Sequence, residues 1–389
     1  MFARFIDDDI AAPVRANFDA LVWARLVTNA CYRFTPPFVA VIARGLDVSL
    51  AELGIALMIG EFAGLLSPVI GRRIDAVNRL AAMAAGMSMI FVATMSAAVS
   101  THIVWFGASV FVLNAGKVVS DTGLVVWIND QVPYERRGRV IGVVETSWAL
   151  GLFIGVAAMG LVTAILSWRF GMALGGLAMA VSGAVVVAKL PHREARAPAG
   201  RRGGGRLPTR GWLVVAAMFF LMGASQCIAI TFGPWFEEDF GFGGGAIVAV
   251  VVAIGVAELL ASSTSARWMD DWGKERSIVR GAVLMAVTAG LMAAAGGSAW
   301  SAVSAVVVFM LGFEFAIVSV LPLAANMVPG ASGAGLGLAV GAGTTGRAVF
   351  SAAGTWLLDR AGSAGPTLAA LVLSLGAGAL VALYARGSR

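Results

Sequence analysis

Charge is scarce in this chain. Only 13% of its 389 residues are Asp, Glu, Lys or Arg, while 59% are hydrophobic. A water-soluble domain carries roughly 25% charged residues, so this apolarity cannot be hidden inside one globule and the surrounding solvent must largely be lipid. Cysteine and histidine are nearly absent. Cys31 and Cys227 both lie inside apolar runs, which excludes a disulfide framework and metal-type Cys spacing. His102 falls in a loop and His192 in a basic linker, and there is no HExxH, Asp-rich diphosphate-binding motif or Gly-Lys-Ser/Thr loop. Metalloprotease chemistry and ATP-driven pumping therefore have no basis in the sequence. A polytopic membrane enzyme, the rival class, usually needs His, Cys or paired carboxylates near a membrane surface. No cofactor and no metal are expected. The net charge is +6, but the basic residues are scattered over short loops without interleaved aromatics, which argues against nucleic acid as a partner. Met1 to Asp9 lacks the basic start and apolar core of a cleaved signal.

What the chain does have is a succession of apolar runs of roughly 20 residues, the length a helix needs to cross ~30 Å of hydrocarbon. They fall at about 21–43, 52–70, 80–100, 103–129, 139–165 and 169–188, then 211–235, 245–265, 278–297, 300–323, 334–358 and 365–385. The sequence thus predicts an all-α membrane protein with twelve spans. The expected domains are 1–188, a linker at 189–210 that is basic and rich in Gly and Pro, and 211–389. With the N-terminus inside, the external loops hold only Arg44, Arg169 and Arg360 of the 28 basic residues. That bias predicts a multi-pass protein of the cell (inner) membrane with both termini cytoplasmic. Pro36-Pro37 predicts a kink in span one. Trp235, Phe236 and Trp300, near external span ends, read as interfacial anchors.

The chain repeats itself. Gly71-Arg-Arg-Ile-Asp75-Ala-Val-Asn78-Arg79 and Ala266-Arg-Trp-Met-Asp270-Asp-Trp-Gly273-Lys274 each follow an apolar span, 195 residues apart. Cys31 and Cys227, and Pro133 and Pro329, share an offset of 196; Glu61 and Glu258, and Lys117 and Glu314, an offset of 197. Such internal duplication in a membrane protein points to alternating access.

Six plus six spans, a basic central loop and a Gly-x-x-x-Asp-x-x-Gly-Arg-like loop after spans two and eight resemble the major facilitator superfamily. Gly71, Asp75 and Arg79 match in the first copy, with Asn78 in place of the second glycine. Asp270, Gly273 and Lys274 match in the second, with Ala266 in place of the leading glycine. The segment Asp130 to Arg139, containing Arg137, is also similar to the family's pattern. The resemblance implies two pseudo-twofold-related six-helix bundles rocking about a central site. The motif loops would act as cytoplasmic gates in which Asp75 faces Arg79 or Arg137. Span five carries Gly151, Gly155 and Gly160 but not the proline common in drug-exporting members.

Nine ionisable residues fall inside the predicted spans: Arg25, Arg33, Glu61, Lys117, Asp121, Glu145, Glu258, Glu314 and Arg347. Each costs about 2.5–3.5 kcal/mol near the bilayer centre, so they must pair or face water. Lys117 and Asp121, four apart, can pair on one helix face. The family resemblance puts Arg33, Lys117, Asp121, Gln226 and Glu314 on a central cavity as substrate-binding residues. It also lets Glu61 meet Arg347 and Arg25 meet Glu145. Glu314, Glu61 and Asp121, in that order, are the carboxylates expected to carry a coupling proton, with Glu258 a further coupling or charge-pair candidate. The expected function is proton-linked efflux of a small organic molecule by a monomeric carrier. The alternative is a carrier for an anionic metabolite held by Arg33, Lys117 and Arg347.

Overall fold

The computed structural model describes residues 2–6, 12–67, 69–70, 77–132, 134–190, 207–294, 298–328 and 332–386. Among these residues there is no strand; the chain is a series of helices joined by short turns. In chain order they are α1 (Ala12–Arg33), α2 (Val39–Leu46), α3 (Leu50–Glu61), α4 (Arg79–Ala98), α5 (Ile103–Gln131), α6 (Tyr134–Leu150), α7 (Ala157–Ile165) and α8 (Trp168–Lys189). After the linker come α9 (Gly211–Phe240), α10 (Gly244–Trp272), α11 (Lys274–Ala294), α12 (Ala299–Ala325), α13 (Ser332–Ala361) and α14 (Ala364–Arg386). Nine stretches among the described residues are long and apolar enough to span a bilayer. The remaining predicted spans, one, two and eleven, fall on α1–α2, on α3 and on α13. Large apolar side chains such as Val104, Ile165, Val181 and Val372 lie largely exposed on the outer faces, as lipid contact requires.

Local chemistry sets where these helices start and stop. Span one begins at Ala12, nine residues before its predicted start, and breaks at Pro36-Pro37. Proline cannot donate to the ladder and clashes with the preceding turn, so α1 ends at Arg33 and the chain passes through a 3-10 turn (Pro36–Phe38) before α2. Ser49 and Glu52 form a reciprocal capping box at the start of α3. Between α6 and α7 the backbone widens into a π-helix over Gly151–Val156, a form that is rare and concentrated at functional positions.

The two copies of the repeated loop solve one corner in two ways. Asn78 keeps a φ of −63° and caps α4 with its side chain, Oδ1 accepting from Ala81 N at 3.0 Å. Its counterpart Gly273 turns the chain with a φ of 82°, which glycine adopts without steric penalty. Lys274 then opens α11. Gly71 and Asp75 lie outside the described residues, as does most of the linker.

Contacts divide the chain into two compact units: Met1–Thr35 with Leu66–Gly200, and Pro36–Leu65 with Arg201–Arg389. In the first, α4 packs on α5 and α8, and α1 packs on α5, α6, α8 and the π segment. In the second, α11 packs on α12 and α14, and α9 packs on α12, α13 and α14. Helices at matched ordinal positions therefore pair in both units. One close approach repeats as well. A Cβ on Gly86 of α4 would sit 2.6 Å from Gly116 O of α5, and one on Gly281 of α11 would sit 2.6 Å from Gly312 O of α12. These glycine pairs are 195 and 196 residues apart, the offset of the repeated loop.

The segment Pro36–Leu65 groups with the helices after the linker. Pro37 O abuts Gly233 of α9, and a Cβ on Gly54 of α3 would meet Ser351 O of α13 at 2.8 Å. Arg44 Nη1 lies 2.7 Å from Glu237 Oε2. Arg44 is mostly exposed, so Arg44→Ala is expected to lower stability by less than about 1 kcal/mol in a thermal melt.

Two aromatic residues differ from their expected role. Trp235 and Phe236 are buried, packed with Phe232, Phe240 and Phe242, and Trp235 Nε1 donates to Asp239 Oδ2 at 2.8 Å. The reason is that α9 runs on to Phe240, five residues past the predicted span end. Trp300, in contrast, is 84% exposed.

Candidate functional site

The first unit gathers its intramembrane charges into one cluster on α1, α5 and α6. Lys117 Nζ contacts Asp121 Oδ2 at 2.5 Å, one turn further along α5, and donates to Asn29 Oδ1 of α1 at 2.9 Å. Asn29 Nδ2 donates in turn to Ser147 Oγ of α6 at 3.3 Å. Arg25 Nε lies 3.5 Å from Asp121 Oδ1, and Arg25 Nη2 lies 3.0 Å from Glu145 Oε1. Arg25 Nη1 also donates to Val144 O at 3.1 Å. These four charged groups are two cations and two anions, each touching an opposite charge, so the desolvation cost of placing them inside an apolar bundle is offset locally.

Eight residues along α1 from Arg25, Arg33 lies over the indole of Trp148, its guanidinium carbon 4.4 Å from the ring centroid. Its Nη1 donates to Trp148 O at 3.1 Å. Lys117 Nζ lies 5.3 Å from the Tyr32 ring and 5.7 Å from that of Trp148. Arg33, Lys117 and Asp121 are thus brought together, with Tyr32, Asn29 and Trp148 as members the sequence reading passed over. Two aromatics among dozens on apolar spans carry no mark of their own. What singles them out is that α1 presents Tyr32 beside Arg33 while α6 presents Trp148 opposite both. Gly151 and Gly155, three and seven residues after Trp148, let α1 approach closely: a Cβ on Gly151 would be 2.8 Å from Asn29 Cβ.

The second unit holds its charges differently. Glu61 of α3 and Arg347 of α13 form a buried pair, with Glu61 Oε1 accepting from Nη2 at 2.9 Å and Nε at 3.3 Å. Glu314 of α12 is buried and its Oε1 accepts from Ser262 Oγ of α10 at 2.7 Å. Ser262 lies one turn after Glu258, which is fully buried on the same helix. Gln226 of α9 donates from Nε2 to Ser351 Oγ at 2.8 Å, and its buried Oε1 accepts no hydrogen bond among the described residues. Gln226 and Glu314 thus have separate partners, Ser351 and Ser262, on different helices. Arg347, which the anionic-metabolite alternative enlisted, is engaged by Glu61.

Of the gate residues, Arg79 donates from Nε to Asp130 Oδ2, the carboxylate at the end of α5, and from Nη1 to Val77 O, both at 3.1 Å. Arg137 and Asp270 lie on helices whose side chains there are outside the described set. Among the described residues, no group of three or more His, Cys, Asp or Glu could hold a metal ion.

Comparison with known proteins places this architecture. The Major Facilitator Superfamily model matches residues 21–351. An uncharacterized MFS-type transporter of Bacillus subtilis (strain 168), YwfA, is 31% identical over 126 residues, which are 32% of this chain and 30% of that protein. The matched stretch therefore spans less than a third of that relative's length. A bacterial homolog of the human lysosomal transporter Spinster, in its inward-facing and occupied conformation, superposes with a TM-score of 0.77 at 12% identity, over 97% of this chain and 98% of that one. A point mutant of the nucleoside transporter NupG gives 0.75 at 11% identity, covering 95% and 99%. The human organic anion transporter MFSD10 (TETRAN) gives 0.71 at 15%, covering 95% and 100%. At these identities the structural likenesses establish the fold alone. Helical throughout its described residues, with paired helices repeating at matched positions and the family model covering most of its length, the chain belongs to the major facilitator superfamily and is a multi-pass membrane protein.

Proposed function

We propose that this chain is a proton-linked secondary carrier that exports a small organic molecule by alternating access. Its two halves, 1–188 and 211–389, would hinge at the 189–210 linker, with both termini cytoplasmic in a cell (inner) membrane and one chain sufficient for transport. The observation that carries this reading is the set of ionisable groups kept deep within otherwise apolar helices of each unit, since charges in a membrane interior are retained where they serve a pathway. Arg33, Lys117, Asp121, Gln226 and Glu314 are the substrate-facing set, and Glu314 is the first candidate for the coupling proton. It sits between α10 and α12, hydrogen-bonded by a neutral serine that lies one turn from Glu258. The efflux direction rests on family likeness. Gly71, Asp75, Arg79, Arg137, Asp270, Gly273 and Lys274 would form the cytoplasmic gate.

The test is transport in proteoliposomes under an imposed pH gradient. Saturable uptake with counterflow marks a carrier; linear, non-saturating flux would mark a pore and defeat the reading. Glu314→Gln is expected to lose gradient-driven accumulation while counterflow continues, because exchange of substrate for substrate moves no proton. If Glu314→Gln accumulates substrate as the wild type does, Glu314 is not the coupling group.

A second reading, a carrier for an anionic metabolite, is favoured by one observation: Arg33 and Lys117 lie against a single indole.

A further inference from the structure

Trp148 is flanked by two cations, Arg33 and Lys117. A ring face attracts a guanidinium or ammonium through its quadrupole, but the indole has no net charge, so the field of the cation is left largely intact. A carboxylate partner does the opposite and cancels it. Lys117 stands at the boundary between these two kinds of neighbour. On one side are the Tyr32 and Trp148 rings, 6.2 Å apart and inclined at 48°. On the other are Asp121 at 2.5 Å and Asn29 Oδ1 at 2.9 Å. Tyr32, Arg33, Lys117, Asp121 and Trp148 are all partly accessible, as are Arg25 and Glu145 beside them, whereas Glu61, Glu258, Glu314 and Arg347 are buried.

We propose that Tyr32 and Trp148 hold Arg33 and Lys117 as the receptor for the anionic head group of an organic anion, a carboxylate or phosphate, and that Asp121 is its internal rival for the Lys117 ammonium. The proposal rests on the carrier reading above and names the substrate class of that site. Its logic is exchange. A substrate anion arriving at Lys117 displaces one carboxylate oxygen, and the displaced Asp121 is not stranded, because Arg25 already lies 3.5 Å from its other oxygen. Arg25 is in turn anchored by Glu145 and by Val144 O, so it stays in place to receive Asp121. No buried charge is left alone at any step, which is the condition for a low-cost swap in an apolar surrounding. Trp148 and Tyr32 are positioning residues: they aim the cations and make the site cation-rich without adding an anion of their own.

The test uses the full chain purified in detergent, with binding read as thermal stabilisation across a concentration series. Benzoate, succinate and phenyl phosphate are the anionic probes; benzamide and benzylamine are the neutral and cationic matches of benzoate. The anions are expected to stabilise the protein and their two matches to leave it unchanged, with carboxylate and phosphate arms reporting which head group is preferred. Asp121→Asn is expected to tighten anion binding by at least about threefold, since the rival is gone while the amide keeps the shape. Trp148→Leu is expected to weaken it by about tenfold and Trp148→Phe to restore most of the loss, because phenylalanine keeps a ring face. The proposal is overturned if benzylamine or benzamide stabilises and the anions do not, if none of the five does, if Asp121→Asn weakens anion binding, or if the Leu and Phe variants behave alike. Should Trp148→Leu fail to fold, Trp148→Phe and Asp121→Asn still decide. Counterflow in proteoliposomes separates the two levels. Saturable exchange of tetraphenylphosphonium without anion binding keeps the carrier and removes the anion receptor. Anion binding without saturable exchange of any probe removes the carrier and keeps the receptor.

Discussion

Arg347→Met is expected to lower the unfolding temperature of the purified protein more than removal of any charge in the second unit outside its pair with Glu61. Glu61 and Arg347 are each about one-tenth exposed at the side chain, and both Nε and Nη2 of the guanidinium reach the same carboxylate oxygen. Removing one partner of a buried pair leaves the other charge uncompensated, a loss of about 3–5 kcal/mol. Glu61→Leu should be comparably harmful. The double variant Glu61→Leu with Arg347→Met is expected to recover most of the loss, since an apolar pair of similar volume carries no desolvation penalty. If the two single losses simply add in the double variant, the pair is not the unit that matters. The same variants bear on the segment Pro36–Leu65, because Glu61 lies near its end and ties α3 to α13. In limited proteolysis, cleavage within this segment should rise in each single variant and fall back in the double.

The second large effect concerns the duplicated glycine crossing. In an ordinary exposed helix position, Gly→Ala gains up to about 1 kcal/mol from propensity alone. At Gly86 a Cβ would sit 2.5 Å from Ser120 N and 2.6 Å from Gly116 O; at Gly281 it would sit 2.6 Å from Gly312 O and 2.8 Å from Ala316 Cβ. Backbone atoms cannot rotate away as a long side chain would, so α4 must move off α5, and α11 off α12. Gly86→Ala and Gly281→Ala are each expected to destabilise by about 1–3 kcal/mol, the range for overpacked cores. Gly142 and Gly337, also helical, have nothing within 4 Å of where an added methyl carbon would sit, and their alanine variants should be neutral or slightly stabilising. Equal melting temperatures for Gly86→Ala and Gly142→Ala would show that the crossing is not tight.

Much of this was legible in the residues themselves. Span lengths follow from how far an apolar helix must reach, so the predicted spans fall on observed helices. The Pro36-Pro37 break follows from a missing donor and a fixed φ. The contacts of Lys117 with Asp121, of Arg25 with Glu145 and of Glu61 with Arg347 connect groups of opposite sign at similar depth, where an unpaired charge would be costly. Other features had no one-dimensional signature. Trp235 and Phe236 sit at a predicted span end, yet an extra turn and a half of α9 buries them among phenylalanines. Gly86 and Gly281 look like any of the chain's 49 glycines until the partner helix is in place. The grouping of Pro36–Leu65 with helices after the linker depends on which faces α3 and α13 present to each other, set by the small residues Gly54 and Ser351.

The sequence by itself determined the solvent, the number of crossings and the duplicated layout, because each depends on composition and spacing along one dimension. It also determined that the intramembrane charges must pair or face water, since the cost of leaving them alone in lipid holds in any arrangement. Only the tertiary structure decided that Asp121 is shared between Lys117 and Arg25, that Glu314 is met by Ser262, and that Tyr32 and Trp148 stand beside the two cations. Those choices turn on helix rotation, and a rotation of one residue, about 100°, changes every neighbour while leaving the hydrophobic length of the span untouched.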